Sequence, residues 1–185
     1  MPRTARPTGP LSATDLYPLG AGYIWTYDID TGTGLNTLGI ARVLEASATT
    51  FVVQNDGDRS RRTYEVRPDG IFHVEAGSYL IQEPIAVGTE WDATGGRARI
   101  TAVEQDIDVP AGHFERCITI EKTNETAERA YREVYCPGQG PVIVETIQTM
   151  TIGEGLAITA TLRAPLQRGD EDVEEPDGYG GPGEE

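Results

Sequence analysis

The sequence predicts an all-β domain made of a single antiparallel curved sheet, a half-barrel or barrel-like meander with disordered termini. Three observations support this fold. Short runs rich in Val, Ile, Thr and Tyr recur along the chain, and Gly, Pro, Asn and Asp turn signals separate them. No run shows convincing helical periodicity. Most links are of hairpin length, which favours a meander over a Greek key.

The first predicted strand covers residues 23–30, where the aromatic residues Tyr23, Trp25 and Tyr27 alternate with other side chains at a period of two. Residues 10–17, before it, leave room for a short helix. Twelve further extended runs follow between turn signals. They lie at residues 38–44, 50–54, 62–66, 71–74, 79–81, 90–94, 98–103, 107–109, 114–122, 128–135, 142–149 and 157–162.

The centre of the chain predicts a β-hairpin with a cysteine on each arm, turning at residues 125–126. This register places Cys117 opposite Cys136, where opposed Cβ atoms are about 4.5–5.5 Å apart and close to disulfide reach. The same register places Glu121 opposite Arg132 as a favourable charge pair, which supports the disulfide. Two separately buried thiols are the alternative interpretation.

The chain is predicted to form one domain over residues 16–163. A disordered segment is expected at 1–15 and a disordered acidic tail at 164–185. Residues 169–185 carry eight acidic and no basic residues and are rich in Gly and Pro. Such a segment has too little apolar surface to offset its ordering entropy.

Charge excludes some classes of partner. The net charge is −15, and Lys122 is the only lysine. Phosphate binding needs a basic stripe, so nucleic acid and anionic membrane surfaces are not expected partners. No stretch approaches the roughly 20 apolar residues of a transmembrane segment. The disulfide favours an extracytoplasmic location, periplasmic or cell-surface, which assumes an export signal that this chain lacks; a cytoplasmic location is the alternative.

Motifs for chemistry are missing from the sequence. His73 and His113 have no second histidine or cysteine at metal-ligand spacing. If Phe72 and Val74 point inward, His73 points outward. The serines lack a nucleophile elbow, and the cysteines lack the spacing of a redox pair. No catalytic residue, metal site or cofactor is therefore predicted.

Four phrases resemble those of a diffuse group of exported bacterial proteins and lipoproteins. The first phrase contains Pro-Leu, a Gly and Trp-x-Tyr, and the second is a similar Pro…Gly…Trp pattern. The third is Val-Pro-Ala-Gly-x-Phe, and the fourth is Tyr-x-Pro-Gly-x-Gly-x-Val. Cys136 stands where the group usually has Ala, and Gln139 where it usually has Val. The phrases occupy residues 18–27, 84–91, 109–114 and 135–142.

That group is similar to lipoprotein-carrier folds, in which a curved antiparallel half-barrel cups an apolar cavity. The resemblance implies an extracytoplasmic setting and a β-rich cup. It implies no reaction mechanism.

The main functional hypothesis is a non-catalytic binding or scaffold module for an apolar small molecule or lipid, or for a protein partner. The residues proposed to contact a ligand are Tyr23, Trp25, Tyr27 and Trp91, because aromatic rings combine a large apolar surface with polar tips. The competing interpretation, favoured for any single ring, is that these rings fill the core.

Two other hypotheses stay open. One is an enzyme whose acid/base site is assembled from loops, with Glu133, His113 or Asp106 as the acid or base. The other is a structural domain that tethers an acidic tail.

Overall fold

The structure is a computed structural model that describes residues 9–125, 128–148 and 155–169. This part of the chain contains a short helix and thirteen strands, which confirms the all-β prediction. The elements are α1 (Ala13–Leu16), β1 (Tyr23–Asp30), β2 (Asn36–Ala46), β3 (Thr50–Asn55), β4 (Arg61–Arg67), β5 (Gly70–His73), β6 (Ser78–Gln82), β7 (Glu90–Ala93), β8 (Gly96–Val109), β9 (Gly112–Asn124), β10 (Arg129–Cys136), β11 (Gly140–Gln148), β12 (Leu156–Leu162) and β13 (Gln167–Arg168).

The strands form one antiparallel sheet that curls into a nearly closed barrel. The order is β6-β5-β4-β3-β2-β1-β12-β11-β10-β9-β8-β7, and β13 adds to β1. Two six-stranded meanders, β1–β6 and β7–β12, therefore meet where β1 pairs with β12, with Tyr27 opposite Leu162. The sheet closes further than the half-barrel that the resemblance implies.

Side chains close the barrel where its two end strands meet. Within the described chain no backbone ladder joins β6 to β7. Instead, the Trp91 indole Nε1 donates a hydrogen bond to the Tyr79 carbonyl at 2.8 Å. Beside it, the Thr94 hydroxyl donates to the Ala76 carbonyl at 2.9 Å. We call this contact the β6–β7 seam.

Helix α1 covers one end of the barrel. Ser12 caps the helix, since its hydroxyl accepts from the Asp15 amide at 3.2 Å and the Asp15 carboxylate accepts from the Ser12 amide at 2.9 Å. The Asp15 carbonyl accepts from the Gly138 amide at 2.8 Å, which ties the helix to the β10–β11 turn. Leu16 is fully buried beneath it. The β1–β2, β3–β4, β5–β6, β7–β8 and β9–β10 turns lie at the opposite end.

The central hairpin β9–β10 has the predicted register, with Lys122 opposite Tyr131. Cys117 and Cys136 are fully buried and joined by a disulfide, with Cα atoms 4.2 Å apart. The predicted ladder thus brings both cysteines within bonding distance, as expected for directly opposed residues.

The charge pair expected beside the disulfide forms differently. Arg132 lies opposite Glu121 on β9, but it also lies opposite Glu145 on β11. Among the described residues its ion pair, 4.0 Å long, is with Glu145. The expectation of a Glu121 pair was wrong because Arg132 sits on a central strand with an acid on each side.

Strand β8 runs without interruption, although the sequence predicts two separate strands at 98–103 and 107–109. Three register shifts against β9 absorb the intervening residues. Glu104 and Arg116 adopt positive φ values of 52° and 61° and form an ion pair of 3.0 Å. Bulges of this kind bend a strand without ending it.

The β-domain extends beyond the predicted limits of residues 16–163. Helix α1 precedes it, and Gln167 and Arg168 pair with Ile24 and Tyr23 of β1. The predicted disorder falls partly on residues 1–8 and 170–185, which lie outside the described residues. The ranges that are described contain no helix long and apolar enough to cross a membrane.

Candidate functional site: the barrel interior

The barrel interior holds adjoining cavities of about 450 and 440 Å³. The first lies mainly against β1–β4 and β10–β12, and the second against β4–β7, β9 and β10. Both lie toward the end of the barrel opposite α1. Their volumes fall within the roughly 300–1,000 Å³ that is typical of small-molecule sites.

The first cavity has mostly apolar walls. The period-two alternation of β1 turns Trp25 and Tyr27 toward it. Their polar tips are bonded to backbone, because the Trp25 Nε1 donates to the Gln139 carbonyl at 2.6 Å and the Tyr27 hydroxyl to the Pro141 carbonyl at 2.8 Å. The ring faces are left for apolar contact. Aliphatic side chains that complete the wall include Ile29, Val53, Val144 and Ala160.

Aromatic rings form the floor of the first cavity, on the side of α1. The Tyr17 ring lies 5.4 Å from Trp25, 5.7 Å from Tyr64 and 6.1 Å from Tyr135, measured between ring centroids. Burial raises the pKa of the Tyr17, Tyr64 and Tyr135 hydroxyls above the ordinary tyrosine value. The floor is therefore uncharged at neutral pH.

A polar wall separates the two cavities. Arg62, Tyr64 and Glu133 line both of them. The Lys122 ammonium group lies 2.7 Å from Glu133 Oε2, with side-chain exposures of 14% and 13%. The Tyr135 hydroxyl donates to the same oxygen at 2.7 Å. The Glu133 charge is thus compensated within the protein.

Arg62 is the other charged residue of this wall. It lies opposite Val53 in the β3–β4 ladder, and its side chain is exposed. Desolvation lowers the Arg62 pKa, but the interactions with Tyr64, Tyr17 and Asp58 outweigh it, and the Arg62 pKa is raised. Within the described ranges no carboxylate forms an ion pair with Arg62.

The second cavity is more polar. His73 lies opposite Tyr64 in the β4–β5 ladder, with ring centroids 5.1 Å apart. Its Nε2 is 3.4 Å from Glu75 Oε2. Glu75 is itself held by Thr63, whose amide donates at 2.8 Å and hydroxyl at 2.7 Å. Burial, followed by the charge of Arg62, lowers the His73 pKa, so its ring is neutral at pH 7.

The expected orientation of His73 was wrong. Val74 is 41% exposed. Phe72 is covered by the Arg67 guanidinium, 3.5 Å from the ring centroid, and by the ring of Tyr79 at 5.3 Å. These contacts cover the Phe72 ring outside the cavities, whereas His73 lines the second cavity.

The four residues proposed to contact a ligand separate into two pairs. Trp25 and Tyr27 line the first cavity. Tyr23, at the start of β1, and Trp91, at the β6–β7 seam, line neither cavity. A ligand role thus stays a prediction for all four residues, of which Trp25 and Tyr27 lie at the first cavity.

The candidate acids and bases of the enzyme hypothesis are not brought together. Glu133 lies inside the barrel, in its pair with Lys122. His113 is on the exposed surface, where its Nδ1 is 2.8 Å from Asp108, and Asp106 is exposed too. No group of three or more His, Cys, Asp or Glu side chains suited to a metal occurs in the described chain.

Sequence reasoning missed Arg62 and Lys122 as residues that line the cavities. A signal for Lys122 was present, since the predicted hairpin register places Glu133 diagonally across from it on the same face. For Arg62 the signal is weaker, because β4 has arginines at both ends and resembles a solvated strand.

No protein-family model and no curated protein matches this sequence. Solved structures with a similar fold include a candidate lipoprotein from Parabacteroides distasonis, at 15% identity and a TM-score of 0.45 over 85% of this chain and 100% of that chain. They also include a candidate exported protein with a YmcC-like fold from Bacteroides fragilis, at 13% identity and a TM-score of 0.48 over 83% of this chain and 99% of that chain. Function is therefore inferred from the geometry of the barrel interior alone.

Proposed function

We propose that this domain is a non-catalytic binding module that holds a small, largely apolar molecule inside the barrel. The first cavity carries the proposal. It provides about 450 Å³ of space beside Trp25, Tyr27 and aliphatic side chains. An apolar ligand in this space would remove the apolar surface of its lining from water, which is favourable.

The state of the aromatic residues supports binding rather than chemistry. The Trp25 and Tyr27 donors are bonded to the backbone of the β10–β11 region. Burial keeps the tyrosine hydroxyls neutral. These side chains therefore offer apolar surface, and its burial contributes roughly 25 cal/mol per Å².

We further infer that the module works outside the cytoplasm. The buried disulfide between Cys117 and Cys136 supports this, because such bonds persist in oxidising compartments and are rare in cytosolic proteins.

The binding proposal is tested with the full chain and a neutral probe, dodecanol, by native mass spectrometry and by tryptophan fluorescence titration. Ala160→Leu places a larger side chain in the first cavity. Ala157→Leu, on the same strand but outside both cavities, is the matched control. We expect Ala160→Leu to weaken dodecanol binding and Ala157→Leu to leave it unchanged.

Equal binding by both variants would place the ligand elsewhere. A wild-type chain that binds no dodecanol would contradict the proposal.

A further inference from the structure

The charges at the wall between the cavities do not cancel. Lys122 and Glu133 neutralise one another at 2.7 Å. Arg62, which shares the wall, forms no ion pair with any described carboxylate. Arg62 thus presents its guanidinium to both cavities, and the Asp58 carboxylate at the first cavity interacts with it electrostatically without forming an ion pair.

The net charge of the chain is −15, so its arginines have many possible carboxylate partners. Seven other arginines of the described ranges do form ion pairs with carboxylates. They are Arg42, Arg67, Arg97, Arg99, Arg116, Arg132 and Arg163. Arg59, Arg61, Arg129 and Arg168 form no ion pair among the described residues either, but they line neither cavity, so what distinguishes Arg62 is its place at both cavities. Its side chain is exposed at this wall, so an anionic head can reach the guanidinium while an apolar chain lies in the first cavity.

The carboxylates of Glu75 and Asp58, which line the two cavities, accept hydrogen bonds from other residues. Glu75 accepts two hydrogen bonds from the amide and one from the hydroxyl of Thr63. Asp58 accepts from the Ser60 amide at 2.9 Å and lies exposed at the rim of the first cavity. His73, on the far side of the wall, has its pKa lowered by burial first and then by the charge of Arg62.

We propose that the ligand is a single-chain amphiphile with an anionic head, which Arg62 binds at the wall while the apolar chain occupies the first cavity. The proposal rests on the proposed function and deepens it. A guanidinium presents paired N–H donors that match a carboxylate or a phosphate. Tyr64 stands beside Arg62 and supplies a hydroxyl at the same wall.

The test compares four probes with the same twelve-carbon chain: dodecanoate, dodecyl phosphate, dodecanol and dodecyltrimethylammonium. Calorimetric titration of the full chain gives the affinity of each. We expect at least one anion to bind about tenfold or more tightly than dodecanol, as expected for a hydrogen bond to a charged group. The cation should bind more weakly than dodecanol. The anion that binds more tightly shows whether the site prefers a carboxylate or a phosphate head.

Arg62→Gln removes the charge, and Arg61→Gln is its matched control, because Arg61 is the neighbouring, exposed residue that lines neither cavity. Arg62→Gln should abolish the preference for the anion and leave dodecanol binding unchanged, and Arg61→Gln should change neither. Arg62→Lys keeps the charge but loses the paired donors, so it should retain part of the preference. If Arg62→Gln does not fold, Arg62→Lys still tests the contribution of the guanidinium to anion binding.

The outcomes are separable. If dodecanol binds as tightly as both anions, or if the anion preference survives in Arg62→Gln, the anionic head is refuted and the apolar cavity of the proposed function remains. A preference for the cation refutes it as well. If no probe binds the wild-type chain, both proposals fail.

Discussion

Lys122 and Glu133 form an ion pair inside the barrel, with the ammonium nitrogen 2.7 Å from the carboxylate oxygen. Both side chains are largely withdrawn from water, at 14% and 13% exposure. Each residue therefore depends on the other, because desolvation penalises an unpaired charge more than it penalises a neutral side chain.

Removing one partner of this pair should destabilise the fold. We expect Lys122→Met to lower the free energy of unfolding by about 3 kcal/mol, near the lower end for one-sided loss of a buried pair. Adding Glu133→Leu should recover much of the loss, because no lone charge remains. Urea denaturation measures both. Arg97→Met breaks the exposed pair with Glu90 and should cost less than about 1 kcal/mol. Equal costs for Lys122→Met and Arg97→Met would show that the interior pair is solvated.

The disulfide should stabilise the domain without being required for its fold. Cys117 and Cys136 are 19 positions apart, and closing a loop of this length contributes about 3 kcal/mol in the chain-entropy description. The Cys117→Ala/Cys136→Ala double variant should keep its β-type circular dichroism and unfold at lower urea. Alkylation of protein isolated without reductant tests the compartment as well. Two reactive thiols would contradict the extracytoplasmic proposal.

The two histidines should titrate on opposite sides of the ordinary value near 6.5. Burial lowers the pKa of His73, and the hydrogen bond with Asp108 raises that of His113. NMR of the ring protons should therefore give two separate midpoints. Asp108→Asn should lower the midpoint of His113 and leave that of His73 unchanged. A single shared midpoint would place His73 in water rather than at the second cavity.

The lowered pKa of His73 also makes the stability of the fold depend on pH. The unfolded chain binds this proton more tightly than the folded chain does. His73 thus contributes stability above about pH 6.5, and the contribution is lost as the pH falls from there through the lower pKa of the folded state. Removing the imidazole in His73→Gln should make stability less sensitive to pH between about 6.5 and 5.

Gly140 should tolerate a side chain less well than its neighbour Gly138. Both have positive φ, at 85° and 72°, so alanine at either position costs about 1–2 kcal/mol of backbone strain. An added Cβ at Gly140 would also lie 2.9 Å from Trp25 Nε1 and 3.2 Å from the Tyr17 ring, whereas at Gly138 nothing lies within 4 Å. Gly140→Ala should be the less stable variant and the only one to alter tryptophan fluorescence. Equal stabilities would mean that the indole moves without cost.

Local patterns predicted the strands and the central hairpin because both depend on neighbours in sequence. The alternation of Trp25 and Tyr27 and the register of Lys122 opposite Tyr131 are of this kind. The pairing of β1 with β12 joins residues as far apart in sequence as Tyr27 and Leu162, and no local periodicity encodes it.

The interior polar wall was missed for a different reason. A polar residue in a strand normally indicates the solvated face, so Arg62 and His73 were not expected inside. The barrel is wide enough to leave cavities, and the inward positions of β4 and β5 can then carry polar side chains. The polarity of a residue alone does not show which face of such a strand points into the barrel.

At the β6–β7 seam, two neighbouring barrel strands can separate without the loss of a backbone ladder. Separating β6 from β7 breaks the side-chain bonds of Trp91 and Thr94, whereas separating any other adjacent pair of barrel strands breaks a run of backbone bonds. If the interior binds a ligand as proposed, this seam is where the wall would open first. Trp91 lines neither cavity, and its bond to the Tyr79 carbonyl is one of the two side-chain bonds that hold the seam.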